Sequence, residues 1–208
     1  QLYDLTSLQR EANKKLGFTA DKTLKIAQEL YEKWKAITYP RTDSRYLPMD
    51  MIGRAKLTLQ KMPGAYQEHV KNIPWKEDGK LPFSKRIFDN AKVSDHHAII
   101  PTPQTAPLDK LPPDAARLFD MIARRTIAAF YPAHEYDQTK IITNCESHSF
   151  RSTGKTVRIN GWKDVYPADE KEEDQLPQLK TGDTATVQKT TVKKESTKPP
   201  APHTDASL

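Results

Sequence analysis

The chain has 208 residues, enough for one or two domains with a buried core; 36% are hydrophobic and 29% charged. Its formal charge of +6 and isoelectric point of about 9.2 favour a polyanionic partner without requiring one. The single cysteine excludes a disulfide or a cysteine-based zinc site within these residues, and no apolar run reaches the roughly 18 residues of a membrane span, so we expect a soluble protein from a reducing compartment.

Two amphipathic helices are predicted at the start of the chain. The first follows a capping box formed by Thr6 and Gln9, and Gly17 suits the position after its last residue. The second begins at Thr19 and continues until Pro40 stops it. One face of this second helix carries apolar residues at helical spacing, namely Leu24, Ala27, Leu30, Tyr31 and Trp34.

Two further helices are predicted, separated by a poorly patterned loop over residues 63–83. The first covers residues 51–62, with an apolar face formed by Ile52, Ala55, Leu59 and Met62. The second runs from Pro112 to about Tyr131. Its core-facing residues are Leu118, Phe119, Ile122 and Phe130. A solvated face is favoured over a DNA contact for three basic residues of this helix, Arg117, Arg124 and Arg125.

The hydrophobic pattern changes period after Pro132 and predicts β structure. Segments rich in Thr, Ile and Val cover residues 136–146, 149–153 and 156–160, with a turn at Gly154 and with Cys145 buried in a strand. Residues 184–192 form another β-rich run. The acidic run at 169–174 is predicted to be an exposed loop.

This change of pattern predicts an α+β protein with two domains. Residues 1–132 form a helical domain, residues 133–203 form a β-rich one, and residues 204–208 form the start of a following helix. Because the first residue is not methionine and the last ones look like a helix cap, we expect the sequence to be an internal piece of a longer protein.

The most informative segment follows the second predicted helix. Tyr39 stands before Pro40, which favours an extended backbone there, and two residues before Arg41. A free tyrosine has a pKa of about 10 and is a poor nucleophile at neutral pH until a cation or base assists it. Arg41 supplies a permanent charge and a planar group that holds phosphate oxygens. The pair indicates phosphodiester chemistry, against the alternative of a tyrosine packed in a core.

Three ordered motifs resemble the type IA DNA topoisomerases, in particular their topoisomerase III branch. The sequence TYPRTDSRYL at 38–47 resembles the active-site segment of that family. The sequence SDHHAIIPT at 94–102 resembles its histidine motif. The sequence LTSLQREA at 5–12, followed by LGF at 16–18, resembles its lead-in helix. The resemblance continues to KPPAP at 198–202, so it covers nearly the whole chain.

The resemblance implies a fold and an activity. The helical part would be the tyrosine domain, with a catabolite-activator-like helix-turn-helix element, and the β part would belong to the arch domain that closes the toroid. The enzyme would cut one DNA strand through a transient 5′-phosphotyrosine, pass a strand through the gap and reseal it without ATP. The implied partner is DNA, in single-stranded segments of a duplex or supercoiled substrate. The implied location is the bacterial cytoplasm, at the nucleoid.

The resemblance also assigns roles to individual residues. It makes Tyr39 the nucleophile, Arg41 the stabiliser of charge on the phosphate, and His96 a donor to the phosphate or an organiser of an acidic neighbour. The residues assigned to DNA binding are Arg45, Gln9 and Arg10. Those expected to support the site are Asp43, Ser44 and His97, the first two by orienting Arg41 or by capping the next helix. From the residues alone, Arg41 could instead pair with Asp43, and Arg45 could face solvent.

A metal ion is not expected in this chain, because adjacent residues such as His96 and His97 seldom point at one ion. The resemblance implies that the full enzyme uses Mg²⁺ bound by an acidic toprim domain, which normally precedes this region. No Asp-x-Asp cluster precedes Tyr39. We therefore expect relaxation to require the missing toprim and other domains of the same polypeptide. The alternative functions are a non-catalytic module that binds single-stranded nucleic acid and a purely structural piece.

Overall fold

Helices dominate the first of two structural units. The computed structural model describes residues 1–104, 108–167 and 176–207. The first unit comprises Gln1–His134, Asn160–Ala168 and His203–Leu208, and the second comprises Glu135–Ile159 and Asp169–Pro202. The prediction of an α+β protein is confirmed in this coarse sense. The chain leaves the helical unit two residues later than the predicted boundary and returns to it twice.

The described residues contain five helices and one pair of strands. The helices are α1 Leu5–Leu16, α2 Ala20–Glu32, α3 Ile52–Gln60, α4 Gln67–Lys71 and α5 Pro113–Ala128. The strands are β1 Glu135–Cys145 and β2 His148–Ile159. Short 3₁₀ turns lie at Met49–Met51, Gly64–Tyr66, Asn90–Lys92, Leu108–Lys110 and Gly161–Val165. Helices α1, α2 and α5 pack against one another, and the candidate site lies in the long connections between α2 and α5. None of the described helices is long and apolar enough to cross a membrane.

The N-terminus of α1 is capped by Asp4 and Ser7, and the predicted pair of Thr6 and Gln9 is wrong. The Asp4 carboxylate accepts a hydrogen bond from the Ser7 amide at 2.7 Å, and the Asp4 amide donates to Ser7 Oγ at 3.2 Å. Aspartate is at least as good a cap as threonine, so the local pattern did not decide between the two overlapping boxes. At the other end, Gly17 takes the left-handed conformation (φ 69°), as predicted.

Helix α2 is capped by the hydroxyl of Thr19, as predicted, but it does not continue to Pro40. It ends at Glu32, because Lys35 adopts a left-handed conformation with φ 51°. The amide that follows Lys35 then donates to the carbonyl of Leu30 at 2.8 Å, which satisfies one of the last helical carbonyls. A lysine in this conformation has no sequence signal, so the proline was taken for the stop.

The core of the first unit is richer than the sequence predicted. The core-facing residues of α5 and Phe130 are buried, as expected. Residues 63–83, predicted to be a loop, instead contain α4 and four buried hydrophobic residues: Tyr66, Val70, Ile73 and Leu81. The Tyr66 hydroxyl also donates to Asp120 of α5 at 3.1 Å. The prediction was wrong because widely spaced residues that pack against another element show no local period.

Two arginines of α5 are partly buried as well as ion-paired, and their prediction as a solvated face is wrong. Arg124 forms an ion pair with Asp120, one turn earlier, at 2.9 Å. Arg125 pairs with Glu11 of α1. Arg117 is exposed, as predicted, and the ion pair that it forms within α5 lies at the surface. A guanidinium is weakly hydrated and forms such partly buried pairs readily, so these side chains join elements of the fold rather than face DNA.

The second unit contains an antiparallel hairpin whose turn differs from the predicted one. The paired residues of the two strands run from Glu135–Ile159 to Cys145–His148. Glu146, in the turn between the strands, has a φ of 51°. Gly154 lies inside β2 opposite Thr139, so the turn predicted there is wrong. Glycine marks turns, but it also occurs inside strands, and the segments on either side of Gly154 form one strand.

Other β predictions in the second unit also differ from the structure. Cys145 is exposed rather than buried, and no hydrophobic residue of this unit is buried among those described. Residues 184–192 show no strand. The acidic run at 169–174 lies outside the described residues. Near the end of the chain, the amide of Ser207 donates to the carbonyl of Thr204 at 2.8 Å, which forms a turn; Leu208 lies outside the described residues.

Gly161 begins the 3₁₀ turn that follows the hairpin, and it permits a close approach of two backbones. Its φ is 58°, and a Cβ there would lie 2.4 Å from the carbonyl oxygen of Ala133. We expect Gly161→Ala to destabilise the first unit by about 1–3 kcal/mol. The added Cβ forces the backbone to shift, and alanine is strained at a positive φ. Urea unfolding measures the loss. Gly64→Ala, where nothing lies within 4 Å, is the matched control, and equal losses in the two variants would contradict this account.

Candidate active site around Tyr39

The segment that carries Tyr39 lies directly against residues 94–102. The Thr38 amide donates to the carbonyl of Ile100 at 2.9 Å, and the Ile100 amide donates to Thr38 Oγ1 at 3.0 Å. Thr38 Oγ1 in turn donates to the carbonyl of Ala98 at 3.1 Å. The tyrosine motif and the histidine motif of the sequence are therefore folded together by one threonine that uses its backbone and its hydroxyl.

Thr42 makes a second connection, three residues after Tyr39. Its side chain is buried, with the residue 6% exposed, and its Oγ1 donates to the carbonyl of His96 at 3.0 Å. Ser44, also buried, donates from Oγ to the carbonyl of Lys92 at 2.8 Å. Ser44 thus ties this loop to the turn that precedes the histidine motif, and it does not cap the next helix. Buried hydroxyl groups with satisfied hydrogen bonds hold a backbone firmly, so the position of His96 is set next to Tyr39.

The Tyr39 ring is partly exposed and has two aromatic neighbours. The Tyr31 ring meets it edge-on, with centroids 5.4 Å apart and an interplanar angle of 76°. The His96 ring lies 4.3 Å away, tilted by 47°. Aromatic pairs at these separations fix ring orientation. The alternative of a tyrosine packed in the core is wrong, because the ring stands at the surface between two side chains.

Arg41 is exposed, and its guanidinium is held by α2. With the amide oxygen of Gln28 turned toward it, that oxygen accepts from Arg41 Nη2 at 3.1 Å and from Nε at 3.2 Å. Arg41 forms no ion pair within the described part of the chain. Asp43 instead accepts a hydrogen bond from Ser94 Oγ at 3.0 Å, so the alternative of an Arg41–Asp43 pair is wrong. The charge of Arg41 is oriented but not cancelled.

The two histidines occupy different environments. His97 is half-buried, and its Nδ1 lies 2.9 Å from the carbonyl oxygen of Ala98. His96 is exposed beside Tyr39. A ring nitrogen of His97 is therefore engaged with the backbone, whereas His96 presents its ring to solvent and to the tyrosine.

Two of the residues assigned to DNA binding lie away from Tyr39. Gln9 Nε2 donates to the carbonyl of Ala20, at the start of α2, at 3.0 Å. Arg10 Nε donates to a carbonyl of the C-terminal turn at 3.1 Å. Tyr31, which contacts Tyr39, lies 11 residues after Ala20 and so about 16 Å along the helix. The structure does not bring Gln9 and Arg10 to the tyrosine.

Arg45 is tied to the N-terminal cap of α1. Its Nε donates to Asp4 Oδ2 at 2.8 Å, although its side chain remains 43% exposed. Burial alone would raise the pKa of Asp4, but hydrogen bonds from Ser7 and then from Arg45 hold that pKa below its ordinary value of 3.8. The resulting stability is fully present above about pH 4 and is lost as the pH falls through the lowered pKa of the folded state.

This pairing predicts a pH-dependent cost of removing the charge of Asp4. We expect Asp4→Asn, which preserves capping ability, to lower the free energy of unfolding by about 1 kcal/mol at neutral pH, because the charge-assisted hydrogen bonds weaken. The cost should shrink from neutral to strongly acidic pH, because the native aspartate also becomes protonated as the pH falls through its lowered pKa. Urea unfolding at the two pH values measures it. An equal cost at both would show that the charge is irrelevant.

The whole chain matches one family model. That model is described as DNA topoisomerase and covers residues 1–208. The chain belongs to the DNA topoisomerase family. The DNA topoisomerase 3 proteins of Bacillus licheniformis and Bacillus subtilis are each 44% identical to it, over 214 and 215 residues, which is 100% of this chain and 29% of theirs. The prediction of a type IA topoisomerase of the topoisomerase III branch is thereby confirmed.

A solved structure shares the fold of this topoisomerase chain. Full-length topoisomerase I from Thermotoga maritima matches 86% of the chain and 29% of its own length, with a TM-score of 0.59 and 23% identity. At this identity the likeness shows the fold alone. The chain spans about 29% of the length of the curated relatives and of this structure.

The site offers no ligand set for the Mg²⁺ that the family resemblance implies. Mg²⁺ prefers several oxygen ligands in octahedral geometry. No group of three or more His, Cys, Asp or Glu residues is placed to hold a metal among residues 1–104, 108–167 and 176–207. The side chains around Tyr39 therefore do not fit a magnesium site of their own.

Three residues that shape the site were missed at the level of sequence: Thr38, Thr42 and Gln28. The two threonines stand inside the recognised motif, but the carbonyl groups they contact lie more than 50 residues away, so nothing local revealed them. Gln28 gave a weak signal, as a polar residue one turn before Tyr31 on α2. Only the folded chain shows that it faces Arg41.

Proposed function

We propose that this chain supplies the DNA-cleaving tyrosine of an ATP-independent type IA topoisomerase. Tyr39 attacks a phosphodiester in a single DNA strand and becomes linked to its 5′ phosphate. The observation that carries the proposal is the partly exposed Tyr39 ring, 4.3 Å from the His96 ring, in a segment that also presents an exposed Arg41. A nucleophile, a fixed cation and a histidine side chain thus occur together.

Cleavage exchanges one phosphate ester for another. The phenolic oxygen of Tyr39 loses its proton and forms a bond to phosphorus, while the bond from phosphorus to the 3′ oxygen of the neighbouring nucleotide breaks. That oxygen takes up a proton and leaves as a 3′ hydroxyl. Religation is the reverse reaction. Because one diester replaces another of similar free energy, the covalent intermediate conserves the bond and neither direction needs ATP.

Arg41 and His96 act on the phosphate in this step. Charge builds on the phosphate oxygens as Tyr39 attacks, and a guanidinium already oriented toward them stabilises the transition state more than the ground state. The exposed His96 ring, beside the tyrosine, donates a hydrogen bond to the phosphate. The contact of Arg41 with Gln28 and that of the His96 ring with Tyr39 support these roles, because groups that are already held limit the reorganisation required on DNA binding.

The activity belongs to a longer polypeptide in this proposal. Magnesium would be held by a toprim domain outside these residues. The helical unit serves as the tyrosine domain with a catabolite-activator-like helix-turn-helix element, and the hairpin serves as part of the arch of the toroid. Arg45, Gln9 and Arg10 contact single-stranded DNA beyond the scissile phosphate. The enzyme works on DNA in the bacterial cytoplasm.

Plasmid relaxation by a full-length topoisomerase that carries this segment tests the proposal, with Tyr39→Phe as the decisive variant. Loss of relaxation together with loss of the covalent DNA adduct supports it. Undiminished relaxation would remove Tyr39 from the mechanism. The alternative of a non-catalytic single-strand-binding module predicts salt-sensitive DNA binding with no covalent adduct from the unmodified protein.

A further inference from the structure

Gln28 lies where it can control the direction of the Arg41 guanidinium. With the Gln28 amide turned so that its oxygen faces Arg41, this oxygen accepts from Nε and Nη2 at 3.2 and 3.1 Å, and two such hydrogen bonds fix the plane of the guanidinium. Arg41 makes no other hydrogen bond within the described ranges. We propose that Gln28 is a positioning residue of the cleavage reaction, which aims Arg41 at the scissile phosphate; this inference rests on the proposed function.

A single helix, α2, contacts both the nucleophile Tyr39 and the cation Arg41. Gln28 contacts Arg41, and Tyr31, three residues later on α2, meets the ring of Tyr39 edge-on at 5.4 Å. Residues three apart lie on the same face of a helix, so α2 presents the two contacts side by side. A site supported from a helix is held more accurately than one supported by loops alone. The distance between nucleophile and cation is thus set by one rigid element.

The chemical type of residue 28 matters as much as its place. A carboxylate in this position would form an ion pair with Arg41 and cancel much of the field that the phosphate experiences. A neutral amide orients the guanidinium and leaves its charge available. A guanidinium has five N–H donors, so further donors remain for phosphate oxygens after the contact with Gln28.

A double-mutant cycle in a full-length topoisomerase that carries this segment tests the proposal. The measurement is the single-turnover rate of oligonucleotide cleavage at saturating DNA. We expect Gln28→Ala to lower this rate by about 10- to 100-fold, with little change in the Kd for single-stranded DNA, since a small misplacement of a catalytic group has effects of this size. In an Arg41→Ala background, the same change should alter the rate by less than about twofold, because nothing remains to be positioned.

Two further variants separate positioning from simple loss of structure. Gln28→Glu retains the shape of the side chain, and we expect it to slow cleavage as well, since its charge pairs with Arg41. Gln60→Ala, the same change on an exposed position of α3, should leave the rate unchanged. Equal losses from Gln28→Ala in both backgrounds, or a normal rate in Gln28→Glu, would overturn the proposal. Persistent cleavage by Tyr39→Phe would instead overturn the proposed function itself.

Discussion

Tyr39→Phe is expected to abolish plasmid relaxation, with a fall of roughly 10⁴-fold or more, the scale seen when a covalent nucleophile is removed. Phenylalanine keeps the ring between Tyr31 and His96, so the local packing should survive, but the oxygen that bonds to phosphorus is gone. Relaxation of supercoiled plasmid with added magnesium measures the loss. Transfer of label to the protein, from an oligonucleotide labelled at the scissile phosphate or at its 3′ end, shows whether the adduct forms.

A matched control is available in the same segment. The Tyr46 hydroxyl accepts hydrogen bonds from Gln1 and Lys92 at 2.8 and 3.3 Å, and it has no place in the proposed reaction. Tyr46→Phe removes an equivalent oxygen seven residues away, and we expect relaxation to continue at the native rate. Binding of single-stranded DNA should be unchanged in both variants. If the two variants lost activity equally, the effect would lie in the loop and not in the nucleophile.

Local signals in the sequence predicted the scaffold of the site well. The cap at Thr19, the end of α1 at Gly17 and the start of α5 at its prolines each depend on a few neighbouring residues, and each agrees with the structure. The end of α5 was predicted at about Tyr131 and lies at Ala128. The predictions of helix ends failed where two local signals competed or where a contact with a distant residue determined the structure. Asp4 displaced Thr6 as a cap, and a left-handed Lys35 ended α2 well before Pro40.

The site itself was only partly predictable. The resemblance of the motifs identified Tyr39, Arg41 and His96, but it did not show how the three side chains are arranged in space. The fold shows that His96 reaches Tyr39 because hydrogen bonds from the backbone and the hydroxyl of Thr38 fold one motif onto the other across about 60 residues of chain. Contacts between segments so far apart leave no period or local pattern in either segment, so the sequence did not reveal them.

Arg41→Ala carries the second-largest expected effect. Removal of a preorganised donor to a developing oxyanion slows reactions by about 10²–10³-fold, and we expect a loss of that size in single-turnover cleavage at saturating DNA. The cleavage rate of Arg41→Lys should lie between those of the native protein and Arg41→Ala. An ammonium keeps the charge but lacks the planar pair of donors that a guanidinium presents to phosphate. Arg54→Ala, an exposed arginine of α3, removes the same charge and serves as the control.

The direction of the reaction distinguishes a role in the transition state from a role in binding. Cleavage and religation pass through the same transition state, so Arg41→Ala should slow both by the same factor and leave the equilibrium fraction of covalent complex unchanged. Quench-flow measurement of cleavage, followed by salt-induced religation, gives the two rates separately. A variant that lowers the equilibrium fraction, or that loses only DNA affinity, would place Arg41 in ground-state binding, because only a group that stabilises charge during the exchange alters the two rates in proportion.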